Sequence, residues 1–387
     1  MISIEEALAN IRGQEVLLKS VTLSLQDALN HYLAQEIKAP FDLPSFDNSA
    51  MDGYAVSGSE NAFEIIGEVA AGDVSSRSLS EGQAMRIFTG GKIPENATAV
   101  IMQEHTDAKE NKLTLREEVI EGKNIRKKGT ELAKGRMVFS TGQKINPATI
   151  GMISSLGISE IEVFRKPTIR IIATGNELVK PGQEKKEGQI YESNTDTLIG
   201  ALKDHNFSYD RCQIIQDNLN SIQNAITTDL ERCDVLLLSG GISVGKYDFV
   251  KQALEANGVQ EQFYKVQQKP GKPLYFGRKD HRFVFALPGN PASSLTCFYI
   301  YVLPLLGKLS GGKGKGLSQM KIPLKKEYHF KFDRPTFLKA FIEDGEVSIL
   351  DKQSSSMLHS MAIGNALVLL DKAKLVMKGE VVNCFLI

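Results

Sequence analysis

The chain has 387 residues, 42% hydrophobic and 24% charged, an ordinary globular composition and length enough for roughly two to four domains. Lys plus Arg and Asp plus Glu are both 46, so the formal net charge is zero. That balance argues against a nucleic-acid coat or a membrane-surface protein and still allows a local cationic pocket for a small anion. Cys212, Cys233, Cys297 and Cys384 are scattered with no CxxC pair, so neither a zinc site nor a disulfide framework is expected. The N-terminus reads as an acidic helix start rather than a signal peptide, and no apolar run looks long enough to span a membrane. The expectation is a cytoplasmic protein with no nucleic-acid or membrane partner.

Ser3 and Glu6 have capping-box spacing before Ala7, Leu8 and Ile11, which predicts a short opening helix. A second helix is predicted over 25–35, with Ala28, Leu29, Tyr32 and Leu33 on one face. The stretch 38–56 has two prolines, Pro40 and Pro44, and no periodicity, so it reads as an extended connector at a boundary. From Phe63 to Thr141, short apolar runs alternate with turn residues, predicting a mostly β region. A helix near Thr149 to Leu156 follows, then a short strand.

After Lys166-Pro167 the rhythm changes to alternating strands and helices, the pattern of an α/β domain. Strands are predicted at 169–173, 211–215, 235–238, 263–266, 274–276 and 283–287. Helices are predicted at 195–204, 219–231, 249–256 and 292–306. Asn290 is a good N-cap and Pro291 a good first helical residue. The Gly-Lys-rich run 310–319 reads as a flexible linker, and the remainder as a small β domain.

Ligands of such sheets bind beyond the carboxyl ends of the strands. Those ends carry Thr174-Gly175 with Glu177, then Asp217, Ser239-Gly240-Gly241 with Asp248, Lys269-Pro270-Gly271-Lys272, and Pro288-Gly289-Asn290-Pro291. Glycine turns and helix N-termini offer backbone N–H groups to phosphate. The carboxylates Glu177, Asp217 and Asp248 are oxygen donors suited to a hard divalent ion such as Mg2+. Lys269 and Lys272 supply positive charge for a second anion. The combination suits reaction at a phosphoanhydride. Blander readings stand beside it: Asp217 could cap the next helix, and Glu177 and Lys272 could be solvated surface charges. Gly240 to Lys246 also spells the start of a P-loop, but Tyr247 stands where that loop needs a small hydroxyl for magnesium.

Motifs spread over nearly the whole chain carry a resemblance. They are PSFDNSAMDGYAV (44–56), RIFTGGKIPENATAVIMQE (86–104), TGNEL (174–178), GQIYESN (188–194), SGGISVGKYD (239–248), KPGKP (269–273) and LPGNP (287–291). On these the chain resembles the molybdopterin molybdenumtransferase family, which includes bacterial enzymes and the E domain of gephyrin. The resemblance implies insertion of molybdate into adenylated molybdopterin, with Mg2+-assisted release of AMP. It also implies an elongated homodimer whose active site is shared between subunits. The expected layout is an α/β multidomain fold: 1–45, N-terminal helices and the first part of a small linker domain; 46–144, a projecting β-rich domain; 145–166, the second part of the linker domain; 167–309, the doubly wound molybdopterin-binding domain; 317–387, a C-terminal β-barrel.

By the same resemblance, Asp52 and Thr89 belong to the catalytic set with Glu177, Asp217 and Asp248, the last three also handling the metal. Lys265, Lys269 and Lys272 match basic residues near pyrophosphate and molybdate. Pro288 and Pro291 shape the adjoining loop, and Ser355 matches a serine near the molybdate pocket. Read without the resemblance, Asp52 could be only a turn residue before Gly53. Three positions depart from the family pattern: Glu131 stands for an aspartate, Lys246 for a residue that is often acidic, and Lys339 for an arginine, leaving Arg334 as the remaining guanidinium. The implied partners are a molybdopterin adenylyltransferase and downstream molybdoenzyme chaperones. The alternative functions are a molybdopterin-binding paralogue or a scaffold without turnover.

Overall fold

The strand Val235–Ser239, buried at every residue, sits in the middle of a sheet. In a computed structural model that describes residues 1–73, 77–242 and 249–387, six strands make this sheet: Ile169–Thr174 (β1), Arg211–Ile215 (β2), Val235–Ser239 (β3), Gln260–Tyr264 (β4), Tyr275–Lys279 (β5) and Arg282–Leu287 (β6). Their order is β2-β1-β3-β6-β5-β4. The β2/β1, β1/β3 and β3/β6 pairs are parallel, and β6/β5 and β5/β4 are antiparallel.

Alternate residues of the parallel strands serve two cores, as the period of two requires. Ile169, Ile171, Val235, Leu237, Phe283 and Phe285 pack with Ile4, Leu198, Leu202 and Leu305. Ile172, Leu236, Leu238, Val284 and Ala286 pack with Ile222, Ile226, Val250 and Leu254. The first group lies on helices Ile4–Gly13, Asn194–Asp204 and Leu303–Leu309, the second on Leu219–Leu230 and Phe249–Ala256. Helices therefore cover both faces, and the chain reverses its direction of travel across the sheet between β1 and β3. That is the topological switch point, where doubly wound sheets open a crevice.

The opening helix has the expected capping box: the Glu6 N–H donates to Ser3 Oγ and the Ser3 N–H to Glu6 Oε2. Such a cap contributes about 1 kcal/mol. The helix expected at 25–35 does not form. Asn30 takes a left-handed backbone (φ 64°), and residues 30–33 pair instead with 143–145 and with Val163. Ala28 and Leu33 are buried by that packing, so the apolar spacing was real and its helical interpretation was not. Strands expected at 263–266 and 274–276 are displaced to β4 and β5. Lys265 adopts φ 66°, which ends β4, and Asp280 at φ 53° closes the β5–β6 hairpin.

From Pro291 to Leu309 the helix runs on through a π-helical stretch at Phe298–Val302. These 19 residues are, contrary to expectation, long and apolar enough by length and composition to cross a bilayer. Because 83% of that stretch is buried inside the protein, it is better explained as a core helix. The Gly-Lys run that follows is packed rather than loose: a Cβ on Gly311 would overlap the Phe164 ring, and one on Gly314 (φ 61°) would lie 2.9 Å from Pro304 O.

The C-terminal region is a five-stranded antiparallel sheet of Gln319–Pro323, Thr336–Glu343, Glu346–Ile349, Ala366–Leu370 and Val381–Leu386. Its two edges approach where the Lys325 N–H donates to Val347 O, curling the sheet around Leu324, Phe330, Leu338 and Val368 towards the expected barrel. These parts belong to one compact unit, residues 1–34, 142–146 and 160–387. A second unit, residues 35–141 and 147–159, holds a six-stranded mixed sheet centred on Gly53–Val56, Gln83–Ile87 and Ala62–Val69, together with the helix Pro147–Ser155.

Candidate functional site

At the carboxyl edge of the central sheet the ends of β1, β2, β3 and β6 are aligned by register: Thr174 lies opposite Ile215, Ala173 opposite Ser239, and Ser239 opposite Leu287. The turns that follow are thereby brought side by side. Thr174 Oγ1 donates to Asp217 Oδ1 at 3.1 Å, and the Asp217 N–H donates to Asn176 Oδ1 at 3.1 Å. Asp217 does not cap the helix behind it; Asn218 does, accepting from the Ser221 N–H at 2.9 Å. The half-buried Asp217 carboxylate therefore faces the strand ends with no cationic side chain against it among the described residues. Glu177, on the neighbouring turn, is exposed and likewise has no ion-pair partner among those residues. Asp248, Lys246 and Tyr247 lie outside the described residues.

The two glycines after β3 have a packing reason as well as room for a ligand. Gly240 and Gly241 have φ of 86° and 64°. A Cβ on Gly240 would lie 2.4 Å from Thr174 O, and one on Gly241 2.7 Å from the Thr174 methyl. Any side chain here would push β1 and β3 apart at their ends, so the close approach requires glycine.

Sequence reasoning missed Asn194. Its buried side chain donates to Ser239 Oγ at 2.9 Å and to Gly289 O at 2.8 Å, tying the turn after β3 to the turn after β6. Its Oδ1 is buried without a hydrogen-bond partner among the described residues. Glu192, 3% exposed, holds Asn194 in place by accepting from the backbone N–H groups of Asn194 and Thr195. The signal available was the motif GQIYESN (188–194), which ends on Asn194.

The Lys269–Lys272 turn contains a cis Lys269-Pro270 bond and is held from beneath by Gln268, which is 1% exposed and donates to Pro270 O and Gly271 O. Lys269 is knitted to the C-terminal sheet: its N–H donates to Pro335 O, and its carbonyl accepts from the Phe337 N–H. The Lys269 ammonium lies 3.4 Å from the centre of the Phe332 ring, a cation–π contact. Burial, and then the Arg334 charge, lower its pKa. A cation depressed by desolvation and by a like charge gains when an anion arrives. Lys272 is exposed on the same turn, whereas the Lys265 ammonium is taken up over the Tyr264 ring, 4.6 Å from its centre.

Asn290 begins its helix as expected, with Pro291 following, but its side chain makes no capping bond. It donates instead to Ser355 Oγ at 3.0 Å. Pro288 is buried, while Gly289 stands exposed at the rim. The Ser355 loop is fastened by Lys339, which is 2% exposed and donates to the carbonyls of Lys352, Ser354 and Met357 at 3.1, 2.9 and 2.9 Å. Lys339 is thus committed to the loop that carries Ser355, and Arg334 is the guanidinium near Lys269.

In the second unit, Asp52 precedes the strand Gly53–Val56 and is more than a turn residue. Its Oδ1 accepts from the Thr89 N–H at 2.7 Å and from Thr89 Oγ1 at 2.8 Å. These bonds, the backbone one first, lower its pKa. Both residues are exposed, and Oδ2 has no hydrogen-bond partner among the described residues. Gly53 is fixed by its sheet neighbour, since a Cβ there would overlap Ile101 O. The Asp52 carboxylate is therefore mounted between two strands, Gly53–Val56 and Gln83–Ile87, that pair directly.

Glycine turns, carboxylates and lysines gathered at the strand ends of a doubly wound sheet are the class of site that suits an anionic, phosphate-bearing ligand. Residues 2–157 match the MoeA N-terminal region (domain I and II), 170–308 a probable molybdopterin binding domain, and 321–387 the MoeA C-terminal region (domain IV). The chain is 31% identical over 382 residues to the molybdopterin molybdenumtransferase of Staphylococcus epidermidis, covering 95% of this chain and 91% of that one. It is 38% identical to that of Haemophilus influenzae, covering 75% and 73%. The crystal structure of a molybdopterin biosynthesis MoeA protein from Pyrococcus horikoshii superposes over 100% of both chains with a TM-score of 0.86 at 28% identity. The chain belongs to the molybdopterin molybdenumtransferase family, whose transferases act in molybdenum cofactor biosynthesis.

Proposed function

We propose that this chain inserts molybdate into adenylated molybdopterin and releases AMP. The observation that carries the reading is the carboxyl edge itself: Asp217 held by Thr174, Ser239 and Gly289 tied by Asn194, and a lysine turn knitted to the C-terminal sheet. The turns at β1, β3 and β6 bind the phosphates and the pterin, with Thr174, Gly175, Gly240, Gly241 and Gly289 offering the close approach of backbone that an oxyanion needs. Asn194 Oδ1, buried and unpartnered among the described residues, accepts a hydrogen bond from the substrate. Molybdate, a dianion, binds beside Lys269, Lys272 and Arg334, with Ser355 donating to it from the loop that Lys339 fastens.

Among the described residues, no three His, Cys, Asp or Glu side chains are close enough together to hold a metal alone. Glu177 and Asp217 nevertheless fit magnesium, because they are oxygen donors free of cationic partners and this ion keeps several waters and takes phosphate oxygens as ligands. Bound there, it would neutralise charge developing on the phosphoanhydride. The chain acts as a homodimer in this reading, and Asp52 of a second copy, kept ionised by Thr89, positions water or substrate at the first copy's strand ends. Purified protein incubated with adenylated molybdopterin, molybdate and magnesium should release AMP, and Asp52→Ala and Asp217→Asn should each abolish most of it. AMP release at background, or release untouched by both substitutions, sinks the reading.

A further inference from the structure

Away from the carboxyl edge, the first unit has an open cavity of about 380 Å³. Four distant stretches line it: 30–32, 142–144 with Lys166, 205–207, and the Gly-Lys run at 313–316. Its size falls in the range of about 300–1,000 Å³ usual for small-molecule sites. Lys144, Lys166, Lys313 and Lys315 all line it, and no Asp or Glu does. None of the four ammonium groups has a carboxylate within 4.0 Å among the described residues.

The charge arrangement costs free energy as it stands. Lys166 is half-buried, and its pKa is lowered by burial first and by the Lys144 charge second. The His205 pKa is lowered too, by burial first, with Asp204 opposing and Lys144 adding to the effect. Its Nε2 is buried with no hydrogen-bond partner among the described residues, while the ring packs edge-on to Tyr299 with centres 5.8 Å apart. A buried polar nitrogen without a partner is a standing penalty that a ligand oxygen would remove. The Gly-Lys run cannot move aside easily, because Gly314 and Gly316 are pressed against Pro304. Lys313 and Lys315 are therefore presented on a rigid turn.

We infer that this cavity is a second anion site, which takes a phosphorylated small organic molecule. The lysines neutralise the phosphate and end the mutual repulsion of Lys144 and Lys166. His205 Nε2–H donates to a phosphate oxygen. Tyr32, Phe207 and Leu303 form walls for an uncharged organic body, and the volume exceeds what a bare phosphate fills.

The test is calorimetric titration of the full chain with AMP and, separately, with inorganic pyrophosphate. Two anion sites per chain are expected, one at the strand ends and one here. Lys313→Gln with Lys315→Gln changes only exposed loop residues and should keep the wild-type melting temperature. It should weaken one site about tenfold and leave the other intact. Lys144→Gln with Lys166→Gln should do the same more strongly, and Lys272→Gln should affect only the other site. His205→Phe should weaken AMP at this site severalfold. A single site removed by Lys272→Gln and indifferent to the four lysine changes would overturn the inference, as would no loss of AMP affinity in His205→Phe. Either outcome leaves the strand-end reading standing, because Lys272→Gln tests that separately. AMP binding that is no tighter than pyrophosphate at this site would reduce it to an inorganic-anion site and overturn the organic part of the claim.

Discussion

The two edges of the central sheet use acidic residues in opposite ways. At the amino edge Asp234, Asp229 and Asp210 each pair with an arginine. Asp234 accepts from Arg165 at 2.7 Å and from the Thr168 N–H at 2.7 Å. Asp229, fully buried, accepts from Arg170 at 2.8 Å and from Gln213 at 2.7 Å, and Arg170 also pairs with Asp210. At the carboxyl edge Glu177 and Asp217 have no ion-pair partner among the described residues; Asp217 has only a hydroxyl. A carboxylate saturated by guanidinium is spent on holding strands together, whereas one held by a neutral donor keeps its charge available for a metal or a phosphate-bearing substrate. The same residue type is structural at one end of a strand and, in the proposed reaction, chemical at the other.

The largest expected effect breaks the amino edge. Arg170→Met leaves the buried Asp229 with only the longer Arg211 contact at 3.8 Å as counter-charge, which should cost about 3–5 kcal/mol. Urea unfolding measures it, and a loss below about 1 kcal/mol would mean that the pair is worth no more than a surface bridge. Next comes the carboxyl edge. Asp217→Asn should keep stability within about 1 kcal/mol and lower AMP release about 100-fold, equivalent to about 2.7 kcal/mol of transition-state stabilisation. If Asp217→Asn instead unfolds the protein while activity per folded molecule is retained, the contrast between the edges is wrong.

Lys339→Met tests the fastening of the Ser355 loop. Three carbonyls lose a charged donor, at a cost of about 1–3 kcal/mol. In steady-state assays KM for molybdate should rise more than kcat falls, because the loop is loosened rather than a reacting group removed. An unchanged KM would break the link from Lys339 to the anion. The smallest effect concerns Asp52. Its pKa is lowered in the folded state by the Thr89 backbone and side chain, so its stabilising contribution is present above the unfolded carboxylate value and is lost as pH falls through the lower folded one. Thr89→Val removes one of the two bonds and should raise the Asp52 pKa towards that of an ordinary aspartate in a carboxylate NMR titration. In the wild type, Asp52 should stay ionised throughout pH 5–8, so any loss of activity within that window must come from another group.

Much of this was legible in the chain. The rhythm of the central region gave an α/β sheet, because strands buried on both faces are apolar without alternation and glycine turns punctuate their ends; that it is doubly wound came from the resemblance. The family motifs marked Asp52, Thr89, Lys269 and Ser355. What could not be read was which polar residue serves which other one. Asn290 looked like a cap by position and spends its side chain on Ser355 instead, 65 residues away in sequence. The stretch 25–35 had helical spacing, yet its partners at 143–145 and 163 offered backbone pairing that a short isolated helix could not match. Lys339 read only as a departure from a family arginine and is a loop fastener.

The sequence by itself determined the strand-and-helix order of the central region, the glycine turns and the residue types gathered at the carboxyl edge, because these follow from local period and backbone freedom. Only the tertiary structure decided their assignments: that Asn218 and not Asp217 caps its helix, that Asn194 ties two turns together, and that Lys144, Lys166, Lys313 and Lys315 meet around His205. Those outcomes depend on contacts between segments far apart in the chain, and a hydrogen bond or a like-charge repulsion exists only once folding has fixed the distance between them.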